Sequence, residues 1–106
     1  SDGVFVIHVP GHTKGSIALL DTASQSLFTG DHLFYSVGVG ALFGSTMYIS
    51  HSWRVQQESV AKLADEPFLS IYPGHGRMHR FASAGDRRKG IAATVDLMAK
   101  TRSRLP

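Results

Sequence analysis

The chain has 106 residues, which is enough for one compact domain with a modest hydrophobic core. Hydrophobic residues make up 42% of the sequence and charged residues 18%, a balance that excludes a disordered chain. The absence of cysteine excludes disulfides, thiolate metal sites and cysteine nucleophiles. Any metal would therefore bind nitrogen and oxygen ligands, which suit zinc, iron or manganese.

The sequence contains no apolar stretch of the roughly 18–20 residues that a membrane span requires, so we expect no membrane partner. The first residues show no recognisable signal or transit peptide and no initiator Met. We therefore expect a processed or excised product that is soluble and intracellular, in the cytoplasm or an organelle.

The net charge of +3 is unevenly distributed along the chain. Residues 1–76 carry three Lys/Arg and six Asp/Glu, a net charge of −3, whereas residues 77–106 carry eight and two, a net charge of +6. We interpret the basic end as the solvated face of a terminal helix. The alternative is a contact with an anionic partner.

The first part of the chain reads as three strands and a long loop. The apolar run of residues 4–9, stopped by Pro10-Gly11, predicts a strand that is covered on both faces. Residues 16–21 and 27–29, joined by about five polar residues, predict an antiparallel hairpin. Residues 32–52 follow neither the helical nor the strand period, which predicts a loop.

The second part of the chain reads as helix, strand and helix. Residues 53–65 show helical periodicity, and residues 68–72 form an apolar run typical of a strand. Ser83 with Asp86 three residues later predicts the start of a helix that continues to residue 100. The fold class is therefore α/β, a mixed sheet with helices on one face.

Three glycine-flanked loops, each placed directly after a predicted strand, carry the chemistry. Residues 10–16 contain His12, residues 28–32 contain Asp31, and residues 73–76 contain His75. Glycine lets the backbone turn sharply and leaves the imidazole or carboxylate at the strand end. A carboxylate between two imidazoles suits one half of a two-metal site, which lowers the pKa of a bound water.

The strings HVPGHTKGS, LFTGD and YPGHG resemble the third, fourth and fifth metal motifs of the metallo-β-lactamase superfamily, in the family's order. The resemblance covers most of residues 4–76 and implies an αββα sandwich. It also implies that His12 completes the ligands of a first metal, that Asp31 bridges two metals and is catalytic, and that His75 binds the second metal. Two zinc ions per complete domain are expected, with iron or manganese as alternatives.

The family's His-x-His-x-Asp-His motif, which supplies four further ligands, does not occur in this sequence. Residues 1–106 are therefore expected to form a single partial domain, the C-terminal half of the sandwich. We expect weak or absent metal binding and little turnover from this chain alone, because three ligands shared by two metals hold neither tightly. The expected partner is the missing N-terminal half or a second copy of the chain.

Other polar residues are assigned supporting roles. His8 is expected to be structural, and Thr13, Ser16 and Thr29 are expected to hold the loops through side-chain to backbone hydrogen bonds. The weaker candidates for contact with substrate are His32, Tyr35, Tyr48 and Arg77.

Three functions remain open at this point. The first is a metal-dependent hydrolase of ester or thioester substrates, since Gly30-Asp31-His32-Leu33-Phe34 resembles the glyoxalase II-like branch. A weaker similarity, to plant and cyanobacterial metallo-hydrolase-like proteins, admits a chloroplast location. The second is a non-catalytic half-domain with an assembly or regulatory role.

The third function is nucleic-acid processing. Only residues 32–74, 43 residues, separate Asp31 from His75. That spacing leaves no room for the large inserted domain typical of the superfamily's RNA-cleaving β-CASP members, and smaller tRNA-processing relatives stay open as an alternative. We expect a small-molecule substrate rather than a nucleic acid.

Overall fold

A computed structural model describes residues 2–30, 33–36, 41–43, 52–74 and 77–102. The strands are β1 (Val4–His8), β2 (Ile17–Asp21), β3 (Ser26–Gly30), β4 (Phe34–Ser36), β5 (Ala41–Phe43), β6 (Ser70–Pro73) and β7 (His79–Arg80). The helices are α1 (Trp53–Lys62), which continues as a 3₁₀ turn (Leu63–Asp65), and α2 (Ala84–Arg102). The predicted α/β class is confirmed.

Five strands form one mixed sheet in the order β1-β2-β3-β6-β7. β1 pairs with β2 and β2 with β3 in antiparallel fashion, which confirms the predicted hairpin. β3 and β6 are parallel, and the helix α1 lies in the connection between them, as a parallel pair requires.

Both helices pack on one face of this sheet. Alternate residues of the central strands, such as Leu20, Leu27 and Ile71, are buried there. They belong to one core cluster with residues of the two helices, which include Trp53, Val60, Leu63, Ile91 and Met98. The alternation follows from the period of two along a strand.

The prediction that residues 4–9 form a strand covered on both faces is wrong. β1 lies at the edge of the sheet, where only β2 pairs with it, and it ends at His8. Val4 and Val6 are 67% and 66% exposed because no described element lies over their face of the sheet. An unbroken apolar run indicates a strand, but it does not say which of its faces are covered.

The prediction of a loop over residues 32–52 is wrong in part. β4 and β5 pair in antiparallel fashion to form a second, two-stranded sheet. Strands of three residues are too short to show the period of two in a sequence. The remainder of this segment lies outside the described residues.

The later elements are close to their predicted positions. α1 with its 3₁₀ turn matches residues 53–65, and β6 begins two residues later than predicted. The Ser83 hydroxyl accepts a hydrogen bond from the Asp86 amide at 3.1 Å, which confirms the predicted cap of α2. β7, two residues long, has no sequence signal.

Two basic residues of α2, Arg87 and Arg88, have partners within the domain. Arg87, 5% exposed, donates to the carbonyls of Ala64 and Phe68, each at 3.0 Å, and its guanidinium lies over the Phe68 ring. Arg88 pairs with Asp65 at 3.6 Å. The excess positive charge is therefore partly structural, and it does not form a free anion-binding stripe at these positions.

Candidate metal centre

The three motif-bearing loops follow strands that run in the same direction. β1 and β3 are both antiparallel to β2, and β6 is parallel to β3. The C-terminal ends of these three strands therefore lie at the same end of the sheet. Since β3 and β6 are neighbours, their ends are about 4.8 Å apart, and the end of β1 lies about two strand spacings from β3.

The ends of β3 and β6 are tied together immediately before the Asp31 and His75 positions. The Gly74 amide donates to the Gly30 carbonyl at 2.9 Å, and the register between the two strands is irregular from Phe28 to Gly30. Gly30 has a φ of +58°, a backbone conformation that favours glycine. Asp31 and His75 themselves lie outside the described residues.

The Thr29 side chain secures the segment that contains Asp31. Its Oγ1 is buried and donates to the Leu33 carbonyl at 2.5 Å, so the bond spans the three intervening residues. This confirms the predicted role of Thr29. An apolar residue here would leave the Leu33 carbonyl without this donor.

The His12 loop is closed by hydrogen bonds among its own residues. The Ser16 hydroxyl bonds the Thr13 hydroxyl at 2.7 Å and the Thr13 amide at 3.1 Å, as predicted for these two residues. The Val9 amide donates to the Ser16 carbonyl at 2.8 Å and closes the base of the loop. His12 is half-buried, and its Nδ1 atom is buried.

Helix α1 packs directly against the same loop. Gly11 has a φ of +141°, and a Cβ placed on it would lie 2.2 Å from the Cα of Gln56 in α1. Only glycine permits this approach of two backbones. The Ser52 amide, at the start of α1, donates to the Gly11 carbonyl at 2.8 Å, so the loop and the helix are joined one residue before His12.

The other two described histidines, His8 and His79, each make contacts of their own. The His8 Nε2 lies 2.7 Å from the Lys14 carbonyl, which confirms the structural role predicted for it. His79 lies on β7, where its ring contacts Phe81 edge to face, and burial lowers its pKa below the usual 6.5. Arg77 is exposed, and His32, His51 and Tyr48 lie outside the described residues.

The donor set fits a metal, although the structure describes only one of its members. Among the described residues no three His, Asp or Glu side chains come together, but Asp31 and His75 are outside them. Two imidazoles and a carboxylate are ligands that zinc and iron accept. The convergence of the three strand ends agrees with such a set.

A family model described as the metallo-β-lactamase superfamily matches residues 1–75, which include His12, Asp31 and His75. The chain belongs to the metallo-β-lactamase superfamily. The match covers more than half of the chain, and it confirms the family that the three strings resemble.

Relatives within the superfamily include two thioester hydrolases by name. A hydroxyacylglutathione hydrolase of Shewanella loihica is 45% identical over 71 residues, 66% of this chain and 24% of that protein. An acyl-coenzyme A thioesterase of Gallus gallus is 30% identical over 102 residues, 89% of this chain and 35% of that protein. The chain thus spans about a quarter to a third of the length of these relatives.

Solved structures of the superfamily share the fold. A metallo-β-lactamase family protein from Thermus thermophilus superposes with a TM-score of 0.66 at 22% identity, over 96% of this chain and 31% of that one. A protein solved in a di-iron-bound form superposes with a TM-score of 0.62 at 28% identity, over 83% of this chain and 41% of that one. The superfamily binds metals of this kind, and the mixed sheet with helices on one face is its architecture.

The contacts from α1 to the loop are the part of the site that sequence reasoning missed. Ser59 and Lys62 reach residues 49 and 54 positions away in the chain. No local pattern marks a serine or lysine on a helix as the partner of so distant a carbonyl. Gly11 is the one signal, because a glycine before a candidate ligand indicates a close backbone approach.

The described helices include none that is both long and apolar enough to cross a membrane.

Proposed function

We propose that this chain supplies part of the active site of a metal-dependent thioester hydrolase. The proposal rests on one observation: the C-terminal ends of β1, β3 and β6 lie at the same end of the sheet. There the Gly74 amide donates a hydrogen bond to the Gly30 carbonyl, next to the positions of Asp31 and His75. The names of the relatives support the substrate class, since two of them hydrolyse thioesters. Ester substrates belong to the same class of reaction.

We assign His12 to the first metal, Asp31 as the catalytic bridge between two metals, and His75 to the second metal. A bound dinuclear centre would supply an activated water for attack on the thioester carbonyl. Zinc fits this set, and iron is supported by the di-iron form of one structural relative. The residues of this chain contribute ligand placement, through the glycine turns and the hydrogen bonds of Thr13, Ser16 and Thr29.

The complete centre requires ligands that this sequence lacks, so we propose that residues 1–106 act as one half of a domain. The second half would carry the His-x-His-x-Asp-His motif, on the same polypeptide or on a separate one. Without those ligands we expect metal binding weaker than micromolar and negligible turnover, because the ligand count sets affinity. Calorimetric titration with zinc, together with a thioesterase assay, measures both quantities.

The uncovered face of the sheet supports this incompleteness. Val6, Leu19, Phe28 and Tyr72 are in register across four neighbouring strands and are 66%, 37%, 45% and 39% exposed. The Phe28 and Tyr72 rings stack at 5.4 Å. We call these four residues the apolar row. An exposed row of this kind is typical of a surface that another layer covers, and we propose the motif-bearing half as that layer.

A chimera tests the hydrolase proposal. In it, the matching segment of the Shewanella loihica hydroxyacylglutathione hydrolase is replaced by this chain, which restores a complete ligand set. We expect metal binding and thioester hydrolysis that fall at least 100-fold in His12→Ala, Asp31→Asn and His75→Ala and persist in His79→Gln. A folded chimera that binds metal without hydrolysing thioesters would contradict the substrate class, and one that binds no metal would contradict the site.

A non-catalytic assembly role is the second candidate, and the apolar row is the observation that favours it. If assembly is the function, the chain should bind a motif-bearing half equally well before and after the His12→Ala substitution, and no hydrolysis should appear in the complex.

Nucleic-acid processing has less support, because Arg80, Arg87 and Arg88 bond within the domain. Absence of labelled-RNA binding across a salt series would remove it.

A further inference from the structure

Helix α1 contacts the segment before His12 at four points along one of its faces. The contacting residues are Ser52, Gln56, Ser59 and Lys62, spaced by four, three and three positions. That spacing places them on a single stripe of a helix. The stripe lies along the end of β1 and the start of the His12 loop.

Each polar contact in this stripe ends on a backbone carbonyl. The Ser52 amide donates to Gly11 at 2.8 Å, and the Ser59 hydroxyl, in a residue that is 4% exposed, donates to Pro10 at 2.7 Å. The Lys62 ammonium donates to the His8 carbonyl. Three carbonyls within four residues are thus held by one helix, and Gly11 packs directly on the Gln56 backbone between them.

The Lys62 contact lies on the outer edge of the sheet. The Val9 amide donates to the Ser16 carbonyl, and the Thr22 amide donates to the Gly3 carbonyl. The backbone N–H and C=O groups of the odd-numbered residues of β1 therefore point toward β2. In an antiparallel pair the even-numbered residues, including His8, then direct their backbone groups outward. Lys62 therefore bonds to the outer edge of β1 at the point where this strand leads into the His12 loop. A lysine at an edge strand also disfavours pairing with a further strand.

α1 is itself anchored to α2. The Trp53 indole donates to the Met98 carbonyl at 2.9 Å, and the Gln57 side-chain amide lies 3.4 Å from the Val95 carbonyl. The loop consequently rests on a helix whose position is fixed by the core, and it does not depend on its own short-range bonds alone. A ligand loop benefits from such support, because a metal site tolerates little displacement of its ligands.

We propose that Ser59 and Lys62 are positioning residues for His12: together they form a carbonyl clamp by which α1 holds the loop at the angle the metal centre needs. The proposal rests on the proposed function in one respect, the assignment of His12 as a metal ligand. The clamp itself is a property of the chain without metal. The two parts are therefore measured separately.

The clamp is tested by amide hydrogen exchange on the metal-free chain. Ser59→Ala and Lys62→Met should each accelerate exchange of the Val9, Gly11 and Ser52 amides by about fivefold, the loss expected for one hydrogen bond. Lys62→Arg should restore the wild-type rates, because it returns a donor to the His8 carbonyl. These rates report local opening of the loop.

Thr94→Val is the matched control for Ser59→Ala. Thr94 is a buried residue whose hydroxyl donates to the Leu42 carbonyl at 3.2 Å, far from the His12 loop in the sequence. It should lower the urea midpoint as Ser59→Ala does and leave the Val9, Gly11 and Ser52 amides unchanged. If Ser59→Ala and Lys62→Met lower the midpoint without accelerating these three amides, the clamp is overturned.

The positioning role is tested by zinc titration followed through the ring signals of His12. Zinc should shift the wild-type His12 signals, with a half-saturation concentration that rises about fivefold in Ser59→Ala and Lys62→Met and returns in Lys62→Arg. An unchanged half-saturation concentration in both variants overturns the positioning role. If zinc leaves His12 unshifted both in this chain and in the chimera with the complete ligand set, the metal assignment fails, whereas the exchange result for the clamp stands.

Discussion

The two faces of the five-stranded sheet are both apolar, but only one of them is packed. On the covered face Leu20, Leu27 and Ile71 lie under the helices, while on the other face the apolar row remains in contact with solvent. The apolar residues of these strands show little alternation with polar ones, so the sequence does not distinguish the packed face from the exposed one. The difference teaches that the core of this chain is formed on one face of the sheet, while the apolar residues of the other face stay exposed.

The largest expected effect comes from truncating the covered face. Leu27→Ala should lower the free energy of unfolding by about 3 kcal/mol, because it removes a fully buried side chain and leaves a cavity. Leu19→Ala makes the same chemical change in the neighbouring strand on the uncovered face and should cost less than about 1 kcal/mol. Urea unfolding measures both, and equal losses would contradict the assignment of the two faces.

The next effect concerns association through the apolar row. At high concentration we expect the chain to self-associate, and Phe28→Glu should weaken this association at least about tenfold, since a charge would be buried in the contact. Ala93→Glu is the control, because it adds the same charge at an exposed position of α2, which packs on the opposite face of the sheet. Sedimentation velocity distinguishes them; equal weakening by both variants would show that charge alone, not this face, controls association.

A smaller effect is expected at Gly30, the last residue of β3, where the loop that contains Asp31 begins. Gly30→Ala should cost about 1–2 kcal/mol, because its φ of +58° is unfavourable for any side chain, although the space around it is open. Gly15→Ala provides the control, as it too has open space but no positive φ. Thermal unfolding should separate the two variants, and identical midpoints would argue against a strained turn before Asp31.

The smallest effect is the pH dependence due to His79. Burial lowers its pKa in the folded state, so the unfolded chain takes up the proton first as the pH falls. Stability should therefore decline from about pH 6.5 down to the folded pKa and stay unaffected above that range. His79→Gln should show a shallower decline between pH 7.5 and 5.5; the same decline in both chains would remove His79 as its source.

The sequence allowed prediction of the parts of the fold that have strong local signals. The hairpin, α1, α2 and the serine cap at Ser83 were all found, because alternation, helical periodicity and capping act over a few residues. The exposure of β1 was not found. Whether a strand lies at an edge depends on the strands and helices around it, and these come from distant parts of the chain.

In the candidate site, too, short-range contacts could be predicted from the sequence and long-range contacts could not. Thr13, Ser16 and Thr29 were assigned correctly because their bonds span three or four residues. Ser59 and Lys62 were missed because their partners lie 49 and 54 positions away. The grouping of His12, Asp31 and His75 stays a prediction, since the latter two lie outside the described residues.

Zinc titration of the chain, followed by the ring signals of all six histidines, tests that grouping. We predict that the His12 and His75 signals shift together at the same zinc concentration, above the micromolar range, and that Asp31→Asn weakens both. His8 and His79 should not move. Shifts of His12 and His75 at unrelated zinc concentrations, or a response confined to His8 and His79, would contradict a shared metal centre.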